Sequence, residues 1–187
     1  VSRTIVRQAL IRLERERLIK LEPAKGASVA TPSVQETRQI FATRRLLEVP
    51  MIENFVLRAT PEDLKKLRSH LSEEQKACQN IDVKGRTRML ADFHVLIATI
   101  TGNQVLAEVL SQLVSRTSLA AMLYQTNFSA QNSSDEHREL LAAIEKRDVG
   151  LAGFLMNQHL QNVEASLQLD SALTDMRLAL MPESVAY

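Results

Sequence analysis

Residues 86–103 read RTRMLADFHVLIATITGN, and the setting of one histidine within them decides how the rest of the chain is read. Counted in helical steps, Leu90, His94, Ile97, Ala98 and Thr101 share a face. That face is apolar apart from the imidazole. An imidazole so placed is either a core residue with a hydrogen-bond partner or a metal ligand whose companions come from other helices. The helix is expected over 84–101, ended by Gly102-Asn103 in a left-handed cap. The remaining histidines are His70, His137 and His159, and the last two also lie in helical patterns.

Outward from this stretch, the chain after residue 33 shows helical signals and no strand pattern. Ser33-x-x-Glu36 is a capping box and opens a helix with Ile40, Phe41, Leu47, Met51, Phe55 and Val56 on its apolar side. Pro50 is expected to kink or divide that helix near Glu48. Thr60-Pro61-Glu62-Asp63 combines a cap, a first-turn proline and acidic residues, and starts a helix to about Asn80. Residues 104–126 form another helix. Asn127–Ser134 reads as a polar loop, with the next helix starting at Ser133 or Ser134. Asp148 caps the last long helix, and the tail from Ser171 reads as a short extra helix or frayed chain. The fold class expected is therefore all-α, an antiparallel bundle of about six helices spanning 32–187.

The chain has 187 residues, 45% of them hydrophobic, and a formal net charge of +1. Its charge is unevenly placed. Residues 1–20 hold six basic side chains against two acidic ones, so this end carries +4 and the remainder −3. A basic end of this kind suggests a nucleic-acid contact. One cysteine, Cys78, excludes an internal disulfide and fits a reducing cytoplasm. No apolar run suits a membrane span, and no signal peptide is apparent. Starting at Val1 rather than Met, the chain reads as a fragment or processed product.

Within residues 1–31, Ser2 can cap a helix that repeats Ile5, Val6, Ala9, Leu10 and Leu13 as a stripe to be buried. Two short strands follow, joined by Pro-Ala-Lys-Gly, with Gly26 placed for a positive φ. A helix with arginines at its N-terminal end, followed by a small hairpin, is the second half of a winged helix-turn-helix. The run SRTIVRQALIRLERERLI…PAKGASVA resembles the recognition helix and wing of GntR-type bacterial transcription regulators. The resemblance implies that Arg3, Thr4 and Arg7 contact DNA and that Lys25 and Gly26 form the wing tip. Ile5, Gln8 and Arg17 depart from the family's usual Pro, Glu and Gly. Arg17 thereby puts a side chain where a left-handed cap is common, at a cost of about 1 kcal/mol. The two helices that usually precede this motif are absent, so this chain is expected to bind DNA poorly although its parent protein binds it.

The later landmarks also match in order. RRLLE (44–48), ATPEDL (59–64), DFHVLIATITGN (92–103), EHRELLAAI (136–144), RD (147–148) and MNQHL (156–160) resemble the FCD domain of the FadR branch of GntR regulators. That family holds a divalent metal with an Asp and a His one turn apart plus two later histidines. The resemblance places His94, His137 and His159 on the three histidine positions, suited to Zn²⁺ or Ni²⁺ with open positions for an effector carboxylate. Leu90 stands where the aspartate belongs, and Asp92 is turned to the opposite side of the helix. The site is therefore expected to have three nitrogens plus water, with weakened affinity. Arg44 and Arg116 are candidates to hold the effector, and Asn162 to support the site from the His159 face. Arg45 and His70 are expected at the surface.

The resemblance implies a regulator whose winged helix reads operator DNA and whose bundle senses a small carboxylic metabolite as a homodimer. The alternative is a helical metallohydrolase in which three histidines hold a water-activating metal. No general base or nucleophile motif beside the histidines supports it.

Overall fold

The computed structural model describes residues 2–23, 25–30, 32–79, 83–124 and 127–167. The tail from Ser171 lies outside them. The head consists of α1 (Arg3–Arg15), β1 (Ile19–Glu22) and β2 (Gly26–Val29), the strands paired antiparallel with Glu22 opposite Gly26. Six helices follow: α2 (Val34–Arg58), α3 (Pro61–Gln79), α4 (Val83–Ile100), α5 (Gln104–Tyr124), α6 (Asn127–Glu145) and α7 (Val149–Ser166). Among the described residues no helix is long and apolar enough to cross a membrane.

Local chemistry sets the boundaries. The Ser2, Ser33 and Asp148 side chains accept from the backbone N–H groups of Ile5, Glu36 and Leu151. Thr60 and Asp63 close a reciprocal cap before α3. Gly102 ends α4 at φ +76°, as read from the sequence. Two helices end on arginines in the left-handed region, Arg17 and Arg147, both at φ 58°. Each carries the paired bonds of a Schellman turn: Arg17 N–H to Glu14 and Leu18 N–H to Leu13, then Arg147 N–H to Ile144 and Asp148 N–H to Ala143. The Arg147 guanidinium also donates to the Val56 and Ala59 carbonyls, tying the end of α2 to the α6–α7 turn.

The core is formed where α2 packs on α7 and α4 packs on α3 and α5. Phe41, Ile52, Phe93, Leu110, Leu140 and Met156 are fully buried there. At Gly153 an added Cβ would lie 2.5 Å from Glu53 Oε1, so the Glu53 side chain of α2 lies directly against the α7 backbone.

Three expectations are corrected. Pro50 does not divide α2, which runs unbroken through it. Pro50 and Leu46 both face solvent, where water can satisfy the Leu46 carbonyl that a proline cannot serve. The loop expected at Asn127–Ser134 is the first half of α6. Burial of Ala130, Ser133 and Ser134 overrides the poor helix propensity of an Asn/Ser run. The apolar stripe of α1 is not buried. Ile5 is 58% and Val6 46% exposed, because no described element packs over them.

Truncating Leu110 to Ala should lower stability by about 2–5 kcal/mol through loss of burial and the cavity left behind. Val105→Ala, at a 73% exposed position on the same helix, should stay within about 0.5 kcal/mol. Urea denaturation of both variants checks this.

Candidate functional site

His94 on α4, His137 on α6 and His159 on α7 meet in the bundle interior, each no more than 4% exposed. Their Nε2 atoms converge: His159 lies 3.2 Å from His137 and 3.3 Å from His94. Phe93 stacks on His137 at 4.0 Å between ring centroids, fixing that ring's plane. His70 is not at the surface as expected. It is half-buried on α3, its Nε2 3.0 Å from the Met89 carbonyl and 3.7 Å from Glu74.

Behind each converging ring stands a carboxylate. His137 Nδ1 lies 2.9 Å from Glu74 Oε2, and His159 Nδ1 lies 2.7 Å from Glu136 Oε2. His94 Nδ1 lies 2.5 Å from Glu48 Oε2, at an angle outside a regular hydrogen bond. Burial raises the pKa of Glu48, but the Arg44 charge and His94 outweigh it and bring it to about 2. Glu74 likewise falls to about 2, burial being overcome by His137. Glu136 is lowered, its burial outweighed by the hydrogen bond from His159. Burial drives His94 down to about 3 and His159 down to about 4, in spite of their carboxylates.

These protonation states have a consequence. An ionised carboxylate only accepts, so at His137 and His159 it favours the imidazole proton on Nδ1 and turns the Nε2 lone pair toward the cavity. Lone pairs about 3.3 Å apart repel unless a cation or proton lies between them. At metal–nitrogen bonds of 2.0–2.1 Å, two ligands of a tetrahedral ion stand about 3.3–3.4 Å apart. The spacings of 3.2 and 3.3 Å to His159 Nε2 match that edge, and the donor set, three imidazoles backed by carboxylates, suits a borderline divalent ion.

A cavity of about 40 Å³ opens beside the rings, walled by Arg44, Thr87, Leu90, Val114, Thr117 and Ser133 among others. By the measure of one water-sized sphere per 10–15 Å³, it has room for about three waters. Arg44 is 4% exposed. Its Nε donates to Glu48 at 2.6 Å and its Nη1 to the Thr117 hydroxyl at 3.1 Å, while Nη2 is buried without a partner. The Thr87 hydroxyl is also buried and unpartnered. Leu90 supplies no donor from its wall of the cavity. Asp92 is half-exposed and pairs with Arg88, clear of the histidines.

Of the other residues singled out from sequence, Asn162 donates to Glu136 Oε1 at 2.6 Å and so braces the carboxylate behind His159. Arg116 does not line the cavity. It pairs with Glu36 and faces a separate surface hollow, because its neighbour Thr117 takes the inward position on α5. Arg45 is only one-quarter exposed and binds Glu164 at 2.6 Å. In the head, Arg3, Thr4 and Arg7 are exposed on α1. Lys25 is exposed at the hairpin turn beside Gly26, whose φ is +89°. Glu48, Glu74, Glu136 and Thr87 were not singled out from sequence.

The depressed imidazoles make the metal-free fold acid-sensitive. The unfolded chain takes up protons on His94 and His159 below about pH 6.5, whereas in the folded chain these two do not until about 3 and about 4. Stability is therefore fully present above 6.5 and declines as pH falls through that window. Chelator-treated protein should lose roughly 2 kcal/mol of unfolding free energy between pH 6.5 and 5.5. Denaturant titrations at the two pH values check this, with a flat profile as the contrary result.

Residues 39–162 match the FCD domain model. The chain is 31% identical over 185 residues to the Uxu operon regulator of Haemophilus influenzae, covering 89% of this chain and 68% of that protein. It is 29% identical over 196 residues to the Uxu operon transcriptional regulator of Escherichia coli K12, covering 94% and 76%. Among solved structures, E. coli McbR/YncC superposes with a TM-score of 0.81 at 23% identity, over 91% of this chain and 82% of that one. A GntR family member from Pseudomonas syringae pv. tomato DC3000 gives 0.61 at 24% identity, over 97% and 75%. These two structures establish the likeness of fold. The relatives are transcriptional regulators, and the hydrolase alternative falls with that finding. With the domain model spanning most of the bundle and a relative 31% identical across two-thirds of its own length, the chain belongs to the GntR family of transcriptional regulators and carries an FCD domain.

Proposed function

We propose that the bundle senses a small carboxylic acid through a divalent metal, Zn²⁺ or Ni²⁺, on His94, His137 and His159, and that occupancy alters operator binding by the head. The convergence of the three Nε2 atoms in the interior carries this reading. Charge supports it: each of the three rings has a carboxylate in contact with it, which favours a cation among them. The metal supplies a Lewis-acid anchor for an anion. Around it, Glu48, Glu74 and Glu136 orient the rings, and the unpartnered Arg44 Nη2 offers a donor to a carboxylate. Asn162 steadies Glu136. Arg116, facing away from the cavity, has no part in holding the effector.

In the head, Arg3, Thr4 and Arg7 on α1 would meet the major groove, with Lys25 and Gly26 at the tip of the wing. Two copies of the chain would present two heads to a palindromic operator. The exposed apolar side chains Leu46, Leu57 and Val105 are available for contact between copies.

Metal analysis after dialysis against Zn²⁺ or Ni²⁺ should give one ion per chain and none for His137→Ala. Glu74→Gln should weaken metal affinity about 10–100-fold. Leu90→Asp, which adds an anionic donor one turn before His94, should strengthen it by on the order of tenfold or more. Wild-type protein without stoichiometric metal would overturn the sensor reading. For the head, Arg7→Ala in the full-length regulator should cost about 1–3 kcal/mol of operator binding if Arg7 grips a guanine. Fluorescence anisotropy at several salt concentrations separates that loss from the loss of a phosphate contact.

A further inference from the structure

Glu36 stands in the first turn of α2, its backbone N–H bound to the Ser33 hydroxyl. Its carboxylate holds two arginines from different parts of the chain. Arg116 of α5 pairs with Oε1, and Arg17 Nη1, just past the end of α1, lies 3.6 Å from the same oxygen. The Arg116 arm is partly shielded, its side chain 17% exposed, whereas Arg17 is 73% exposed. Two open hollows flank this point, and Arg17, Ser33 and Glu36 line both. The extensive packing of the chain runs within the head or within the bundle, not between them. The head thus meets the bundle across a cleft bridged by an ion trio centred on Glu36.

Beside Arg116 on the backbone of α5, Thr117 begins a line of polar contacts that leads inward. The next residue, Thr117, accepts from Arg44 Nη1 at 3.1 Å. Arg44 Nε donates to Glu48 Oε1 at 2.6 Å, and Glu48 Oε2 lies 2.5 Å from His94 Nδ1. Arg44, Glu48, His94 and Thr117 are all at most 5% exposed, so water does not short-circuit these links.

We propose that His94, Glu48, Arg44, Thr117, Arg116, Glu36 and Arg17 form a relay that reports occupancy of the three-histidine cavity to the recognition helix, with Glu36 as its joint. The inference rests on the sensor reading. A cation held by His94 would change the charge that faces Glu48 Oε2 across the 2.5 Å contact with Nδ1, and an anion in the cavity would compete for Arg44. Either change alters the grip of Arg44 on Thr117, and so the spacing of α2 and α5 where Arg116 holds Glu36. Glu36 acts as a positioning residue for the head. Contiguity supplies the route, and coupling between the two ends is what must be measured.

Zn²⁺ is the probe, used on the whole chain with hydrogen exchange at residues 17–22 as the readout. Zn²⁺ should change exchange there about fivefold in wild-type protein, the scale of an ordinary coupling between sites. Glu36→Gln and Arg17→Gln should show no Zn²⁺-dependent change while binding Zn²⁺ with wild-type affinity. Glu73→Gln, an exposed carboxylate paired with Lys76, should respond like wild type. A response that persists in Glu36→Gln would overturn the relay, as would a wild-type chain that binds Zn²⁺ without any response. Loss of Zn²⁺ binding in Glu36→Gln would also overturn it, since Glu36 would then serve the bundle's integrity. Failure of wild-type protein to bind Zn²⁺ would instead defeat the sensor reading, and the relay with it.

Discussion

Three imidazole edges crowded into one buried hollow, with an ionised carboxylate behind each, set the terms on which this bundle folds. Burying a carboxylate or an arginine without a partner is costly. Here Glu48 is shared by Arg44 and His94, and Glu74 by His70 and His137. Each helix that contributes a ring therefore contributes to a polar network as well as to the apolar core. The network orients the rings: with Nδ1 of each turned outward toward a carboxylate, the Nε2 atoms point toward one another. That arrangement is unfavourable without a cation, which ties the stability of the interior to what occupies it.

Much of this was legible in the sequence because it follows from local rules. Caps at Ser2, Ser33, Thr60 and Asp148, the glycine stops at Gly26 and Gly102, and helical periodicity are short-range signals, and the helices stand where those signals put them. His94 was legible for a different reason, as one polar group on an otherwise apolar face. What escaped were features decided by distant partners. Asn127–Ser134 has loop propensity, and only its burial against the rest of the bundle makes it helical. Arg116 and Thr117 are neighbours in sequence, and which of them faced the cavity depended on the rotation of α5. Glu48 and Glu74 gave a signal that could have been read: each falls on a stripe with buried apolar residues, Phe41, Met51 and Phe55 for the first, Leu67 and Leu71 for the second. A carboxylate on such a stripe needs a buried cation or donor, as His94 did.

Leu90 is the point at which this chain departs most from the metal-binding pattern that it resembles. It leaves an apolar wall where an anionic donor would stand, beside an arginine whose Nη2 lacks a partner and a threonine whose hydroxyl lacks one. Such a site has more to gain from an incoming anion than one that brings its own fourth ligand. The head lies at the other end of the same polar line. It is held across an open cleft rather than by packed surface, so a modest change in α2 and α5 has room to become a change in its orientation.

The convergence of the three rings on one ion is tested most directly by X-ray absorption at the metal edge of Zn²⁺-loaded protein. The expected spectrum has three imidazole nitrogens at about 2.0–2.1 Å with the remaining shell made of oxygen. A sulfur scatterer, or fewer than two imidazoles per ion, would contradict it and place the metal elsewhere in the molecule.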